Sequence, residues 1–163
     1  MQVIFLPREI SIIMVFILWP IIQAAITFIC HKIDDKHFSY ESNFFKPFPW
    51  EKDGDIYKRL FKVNKWKKFM PDGAAVVKGE FKMRHLDFSN RDNLEKFLVV
   101  SCRGETAHWL SIIPFWLFGF FTPPIVILYM LLYSLAANLP CIIVQRYNRP
   151  RVAGLLQNTF VYK

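Results

Sequence analysis

The chain has 163 residues, of which 53% are hydrophobic and 17% aromatic, and its formal net charge is +8. This length favours one domain, so we expect a single integral membrane domain over 1–163. A basic and apolar chain is typical of a membrane protein whose polar part lies on an anionic leaflet. Nucleic acid is not expected as a partner, because the charge adjoins apolar segments and no nucleic-acid motif is present.

The first element is an apolar segment, 10–30, without charged residues. As a helix it would reach roughly 30 Å, about one hydrocarbon thickness. Trp19–Pro20 would kink such a helix, which membrane helices tolerate. A secretory signal peptide is the alternative. The weak charged start, the long apolar run and the lack of a small-residue cleavage site favour an uncleaved transmembrane helix.

The second region, 31–106, is basic and is expected to be cytoplasmic and interfacial. Within it, apolar and basic residues alternate with helical spacing, which predicts a basic amphipathic helix lying in the headgroup plane. The apolar residues are Ile56, Tyr57, Leu60, Phe61 and Val63, and the basic ones are Lys58, Arg59, Lys62 and Lys65. Trp50, Trp66 and Phe69 suit the same depth. The alternative is a small soluble domain with a solvated lysine face.

The rest of this region is less strongly patterned. Pro71–Asp72–Gly73 predicts a turn, and Ala74–Lys82 fits either a short strand or a loop. Ser89 followed by Asp92 fits a capping box, which predicts a helix starting there and running toward Glu105. Gly104 could break that helix.

The third element is an apolar hairpin over 107–144, which contains no Asp, Glu, Lys or Arg. Ala107–Phe121 would reach roughly 22 Å as a helix, which is less than the bilayer core. It is therefore either a short, mismatched span or a re-entrant helix. Thr122–Pro124 predicts a turn, and Ile125–Val144 is long enough to span. The fold class is therefore an all-α membrane protein with about three membrane-embedded helices and a basic interfacial region, followed by a basic tail, 145–163.

Orientation follows from the basic residues. Lysines and arginines are concentrated in 31–103 and recur in 146–151, whereas the turn 122–124 has none. The positive-inside rule places the middle region and the C-terminus in the cytoplasm and the N-terminus outside. A multi-pass protein of a cytoplasmic membrane is expected.

Glu105 and His108 are the first candidates for chemistry. They are spaced i, i+3 and would share a helix face, where a carboxylate would orient the imidazole and raise its basicity. Such a pair suits a general base acting on a sugar hydroxyl. The alternative is a structural pair at the membrane entry, but an ionisable pair beside an apolar span is a functional candidate by default.

The second candidates lie in the polar block that follows the hairpin. Arg146, Arg149 and Arg151 could bind a phosphate or carboxylate in two-point contact, with Gln145 and Asn148 beside them. A plain positive-inside anchor is the alternative. Asp72 is a minor catalytic candidate, because a Pro-Asp-Gly aspartate is most often a turn former. The four histidines do not have metal-ligand spacing, and common nucleophile and nucleotide motifs are missing. No metal is expected.

These residues carry a resemblance to a known family. Trp66–Lys67 leading to Asp72–Gly73, Arg84–His85–Leu86, Glu105-x-x-His108–Trp109 and Asn138-x-Pro140 continuing to Arg151 follow one pattern. The chain resembles the glycosyl-4,4′-diaponeurosporenoate acyltransferase family over nearly its whole length. Trp66, Lys67 and Trp109 thereby join the candidate residues for binding substrate or acyl donor.

The resemblance implies the last step of staphyloxanthin-type carotenoid synthesis in a bacterial cytoplasmic membrane. A fatty acyl group would be esterified to the glucose C6 hydroxyl of a glycosylated carotenoid acid. No cofactor is implied beyond an acyl donor, acyl-CoA or acyl-carrier protein. The residue roles rest on the physical argument above and not on the resemblance: His108 would be the base, Glu105 its orienter, and Arg146, Arg149 or Arg151 would bind the donor's phosphate. Another membrane glycolipid as acceptor, and a non-catalytic scaffold in lipid assembly, are the alternatives, and the oligomeric state is left open.

Overall fold

The computed structural model describes residues 2–70 and 86–160, and within them the regular secondary structure is all helical, without a strand. The all-helical class predicted from the sequence is confirmed. The α-helices, in chain order, are α1 (Arg8–Lys32), α2 (Asp55–Phe61), α3 (Val63–Trp66), α4 (Arg91–Ile112) and α5 (Pro124–Phe160). Short 3₁₀ helices cover Asp35–His37, Pro49–Glu51, Lys67–Phe69 and Ile113–Phe120.

Two of these helices are long and apolar enough to cross a membrane, namely Arg8–Lys32 and the segment Pro124–Thr159 of α5. They contain the first and the last of the predicted membrane segments. The last helix continues beyond the predicted span, through the polar block, to Phe160. The block that holds the three arginines is therefore helical.

The predicted middle segment, Ala107–Phe121, is not one helix. α4 runs through Gly104 and past residue 106 to Ile112, and a 3₁₀ helix follows over Ile113–Phe120. Pro114 explains the change. It has no N–H to donate to the carbonyl four residues earlier, so the α-helical hydrogen-bond pattern ends there. The amino-acid composition becomes apolar at Ala107, but the backbone remains α-helical there.

The predicted basic amphipathic helix is also divided. Lys62 adopts a left-handed conformation, with φ of 50°, between α2 and α3. In one continuous helix Tyr57 and Val63 would point about 120° apart. The break lets both side chains enter the same cluster, against Tyr147 of α5.

The start of α4 differs by one residue from the prediction. Asn90 caps the helix, because its side-chain oxygen accepts the backbone N–H of Asn93 at 3.2 Å. The predicted cap, Ser89, instead donates to Asp87. The predicted turn at 71–73 and the segment 74–82 lie outside the described residues.

The chain divides into two compact units, of which the first comprises Met1–Lys32 and Thr106–Pro140. We call it the apolar unit. Trp19, Phe118, Phe121 and Met130 form its core. The backbone N–H groups of residues 3 and 4 donate to the carbonyl of Phe120 at 2.8 and 2.9 Å, so the N-terminus lies beside the turn before α5.

The second unit, which we call the basic unit, comprises Ile33–Glu105 and Cys141–Lys163. Three clusters of buried apolar side chains, each centred on aromatic or aliphatic residues, hold its described part together. They are Leu94, Phe97 and Leu98 with Val152 and Ala153; Phe38 and Phe45 with Cys102; and Tyr57 and Val63 with Tyr147. Its helical parts are α2, α3, the first part of α4 and the last part of α5.

Candidate functional site

His108 lies in the apolar unit, on the last part of α4, and its ring is hydrogen-bonded to α5. Its Nδ1 is 2.9 Å from Oδ1 of Asn138. The Asn138 amide is itself fixed, because its Nδ2 donates to the carbonyl of Ser134 at 2.9 Å. Since Oδ1 of Asn138 is an acceptor, Nδ1 of His108 carries the proton and Nε2 holds the lone pair.

The tautomer leaves one basic nitrogen on this imidazole. With the proton on Nδ1, Nε2 of His108 is the ring nitrogen that can accept a proton from a hydroxyl group.

Glu105 lies in the basic unit, and its partners there are arginines of α5. Oε1 of Glu105 is 2.7 Å from Nε of Arg146, and Oε2 is 2.7 Å from Nη1 of Arg149. All three side chains are buried. The predicted role for Glu105 was to orient His108, but its two oxygens are held by guanidinium groups, and the hydrogen bond at Nδ1 of His108 comes from Asn138.

A second carboxylate, Glu51, completes the buried charge network. It is 1% exposed and lies 2.9 Å from Nη1 of Arg146. It also accepts the backbone N–H of Phe48 at 2.8 Å and the hydroxyl of Tyr57. Burial and this hydrogen bond to Glu51 raise the pKa of Tyr57, which keeps the phenol protonated as a donor. The network of Glu51, Glu105, Arg146 and Arg149 is neutral overall.

Glu51 is not among the residues predicted from the sequence. One signal could have indicated it, because two arginines spaced i, i+3 on a helix that packs into protein need two buried counter-charges. Glu105, just before the expected hairpin, supplies one of them. Which of the remaining acids would reach Arg146 depends on tertiary structure, and Glu51 is 95 residues away in the chain.

The other nitrogens of the two buried arginines have protein partners. Nη2 of Arg146 donates to the carbonyl of Phe44 at 2.9 Å. In Arg149, Nε donates to the Ser101 hydroxyl at 3.1 Å and Nη2 to the Ser101 carbonyl at 3.0 Å. Phosphate binding, the predicted role of these two residues, would require breaking bonds that compensate buried charges. The geometry instead gives them a structural role, in which they join α5 to α4 and to the segment before α2.

The remaining predicted residues lie mainly on or near α5 in the basic unit. Arg151 pairs with Asp55 at 2.7 Å and stacks on Tyr147. Lys67 donates to Oδ1 of Asn148 at 2.9 Å, so the structure brings these two candidates together. Gln145 accepts the Ser101 hydroxyl at 2.8 Å.

Two tryptophans complete the set of predicted residues. Trp66 of the basic unit donates from its indole N–H to the carbonyl of Phe61 at 2.8 Å. Trp109, in the apolar unit, is 39% exposed. Asp72 lies outside the described residues. In the part of the chain that the structure describes, no group of three or more His, Cys, Asp or Glu side chains could hold a metal ion.

Comparison with known proteins gives the class and then the family. The model of the glycosyl-4,4'-diaponeurosporenoate acyltransferase family matches residues 41–158. Proteins of that name from Staphylococcus aureus strains MRSA252, bovine RF122 / ET3-1 and USA300 are 39% identical over 140 residues, which cover 85% of this chain and 84% of each relative. No solved structure matches the chain.

The chain is therefore an acyltransferase. It belongs to the glycosyl-4,4'-diaponeurosporenoate acyltransferase family, because the family model covers most of its length and the relatives match it nearly end to end. The matched residues 41–158 include His108, Asn138 and all four members of the buried charge network.

Proposed function

We propose that this protein transfers a fatty acyl group to the glucose C6 hydroxyl of a glycosylated carotenoid acid, the last step of staphyloxanthin-type synthesis. The names of the relatives support this acceptor, since they describe acyl transfer to glycosyl-4,4'-diaponeurosporenoate. The observation that carries the catalytic part is the hydrogen bond between Nδ1 of His108 and Oδ1 of Asn138, which leaves Nε2 as the basic nitrogen of the imidazole.

The reaction requires a base and a thioester donor. His108 Nε2 accepts the proton of the sugar hydroxyl while the oxygen attacks the thioester carbonyl of acyl-CoA or acyl-carrier protein. The new ester C–O bond forms as the C–S bond breaks. The proton passes from the imidazolium to the leaving thiolate, which restores neutral His108. No covalent acyl-enzyme is needed, and the donor is the only co-reactant.

The proposed setting is a cytoplasmic membrane, crossed by α1 and by the apolar part of α5. Most of α1 exposes large apolar side chains, including Ile13, Phe16 and Phe28, which suits contact with lipid. The 3₁₀ segment Ile113–Phe120 would form the third, re-entrant element. Its end lies beside the N-terminus through the bonds from residues 3 and 4 to Phe120, which supports placing both on the same, outer side.

The basic unit would lie on the anionic cytoplasmic leaflet. On and beside α2 and α3, apolar and cationic side chains are both exposed, which is the composition of an interfacial surface. The apolar ones are Trp50, Leu60, Phe61 and Phe69, and the cationic ones are Lys58, Arg59, Lys62 and Lys65. We call these eight residues the basic surface. Arg146 and Arg149 are buried in ion pairs with carboxylates. The exposed basic surface would therefore attract the anionic acyl donor in their place.

The test is mass spectrometry of lipids from cells that make the glycosylated carotenoid acid, with and without this protein. The proposal predicts that the protein adds one fatty acyl ester, and that fragmentation places it on the C6 oxygen of glucose. An acyl ester appearing instead on another glycolipid would contradict the proposed acceptor but support the proposed reaction type. A lipid profile that does not change would contradict both and favour a scaffold.

A further inference from the structure

We propose that Asn138 is the positioning residue of this enzyme, whose carboxamide oxygen holds His108 in the Nδ1–H tautomer and directs Nε2 toward the sugar hydroxyl. The inference rests on the proposed function of His108 as general base. It replaces the carboxylate expected beside the histidine with a neutral amide.

The orientation of the Asn138 amide follows from its two bonds. Its Nδ2 donates to the Ser134 carbonyl, one helical turn earlier on α5, and its Oδ1 faces Nδ1 of His108. A flipped amide would place an oxygen against the Ser134 carbonyl, which has no proton to donate. The backbone of α5 thus determines which atom faces the ring, and that atom determines the tautomer.

The burial of Asn138 favours this hydrogen bond over one to water. Asn138 is 4% exposed and Ser134 is 0% exposed, so water has little access to the amide and does not compete equally for Nδ1 of His108. In such surroundings a hydrogen bond is stronger, and an unpaired polar atom costs more, than at the surface. Rotation of the ring away from Asn138 would leave a buried acceptor unsatisfied.

An amide suits this position better than a carboxylate. Residues 107–144 contain no Asp, Glu, Lys or Arg, so the sequence of the hairpin supplies no counter-charge for an acid at position 138. A buried carboxylate there would cost desolvation energy and would raise the proton affinity of the ring. Asn138 gives the orientation without the charge, and the base stays neutral.

Two substitutions at position 138 separate orientation from packing. Asn138→Leu has a similar shape and removes the acceptor, whereas Asn138→Asp keeps an acceptor oxygen. We expect Asn138→Leu to lower kcat by at least about tenfold, with KM for the acceptor changed less than twofold, as a loss of proton-transfer efficiency requires. Asn138→Asp should recover part of kcat. Leu132→Ala, at an exposed position of the same helix, is the control and should keep kcat.

A double-mutant cycle with His108→Ala tests the coupling. If Asn138 acts through His108, Asn138→Leu lowers the rate of the wild-type protein but not the residual rate of His108→Ala. Equal losses in both backgrounds would show a structural role and overturn the inference. A His108→Ala protein with full activity would contradict the proposed function itself, which is a different outcome.

The tautomer can be measured without a variant at position 138. In protein labelled with ¹⁵N-histidine, the signals of His108 are assigned by their loss in His108→Ala. We expect a proton on Nδ1 and an unprotonated Nε2 at pH 7. A proton on Nε2 would overturn the inference even if Asn138→Leu does not fold.

Discussion

Nη1 of Arg146 lies 2.9 Å from Oε1 of Glu51, and both side chains are buried although 95 residues separate them in the chain. This ion pair joins the segment before α2 to α5. Together with Glu105 and Arg149 it gives the basic unit a neutral polar interior beside its apolar clusters. A buried network of this kind fixes the position of its helices more than it adds stability, but it cannot lose one member without cost.

Replacement of Glu51 by glutamine should destabilise the protein strongly. It leaves Arg146 with one carboxylate fewer in a buried site, for which about 3–5 kcal/mol is expected. Unfolding by denaturant in detergent micelles measures the change. Glu41→Gln is the control, because Glu41 pairs with Lys46 at an exposed position, and its loss should cost below about 1 kcal/mol. Equal stability of the two variants would argue against the network.

Gly54 and Gly154 form a matched pair for a backbone test. Gly54 has φ of +85°, and an added Cβ would lie 3.0 Å from the carbonyl oxygen of Arg146 and 3.2 Å from Cα of Tyr147. Gly54→Ala should cost more than about 1–2 kcal/mol, the penalty of the left-handed conformation alone. A Cβ added at Gly154, in α5, would have no neighbouring atom within 4 Å. Gly154→Ala should therefore stabilise the protein by about 0.5–1 kcal/mol. Thermal unfolding of both variants decides, and a stable Gly54→Ala protein would refute the close approach.

The basic surface should govern the use of an anionic acyl donor. We expect the double variant Lys58→Gln/Lys62→Gln to raise KM for the donor several-fold at low salt. The difference should vanish near 1 M salt, where the screening length falls to about 3 Å. Lys36→Gln/Lys96→Gln removes the same charge from other exposed positions and is the control. A KM that rises equally in both variants would show an effect of net charge and not of this surface.

Local sequence patterns were sufficient for the helical class and for α1. The uninterrupted apolar run from Ile10 and the charges that flank it define that helix closely. Composition was a poorer guide at Ala107, because it reports the surroundings of a residue and not its backbone, so α4 crosses the boundary unchanged. Similarly, the polar block after Val144 continues α5, although its composition is that of a tail.

The site was only partly predictable for a related reason. The sequence indicated His108 as an ionisable group beside an apolar segment, and nearness in the chain suggested Glu105 as its partner. The structure instead pairs Glu105 with Arg146 and Arg149, and brings Asn138 to the histidine from 30 residues away. In the sequence, Asn138 stands out only as part of the family pattern. Such pairings depend on how helices pack, which residue spacing alone does not determine.

The proposed role of His108 as the base of the acyl transfer can be tested with purified protein in lipid vesicles that contain acyl donor and glycosylated carotenoid acid. We predict that His108→Ala lowers kcat by about 10²–10⁴-fold. His37→Ala, which removes an exposed histidine from the basic unit, should keep the wild-type rate. A folded His108→Ala protein that forms the ester at the rate of His37→Ala would show that His108 is not the base.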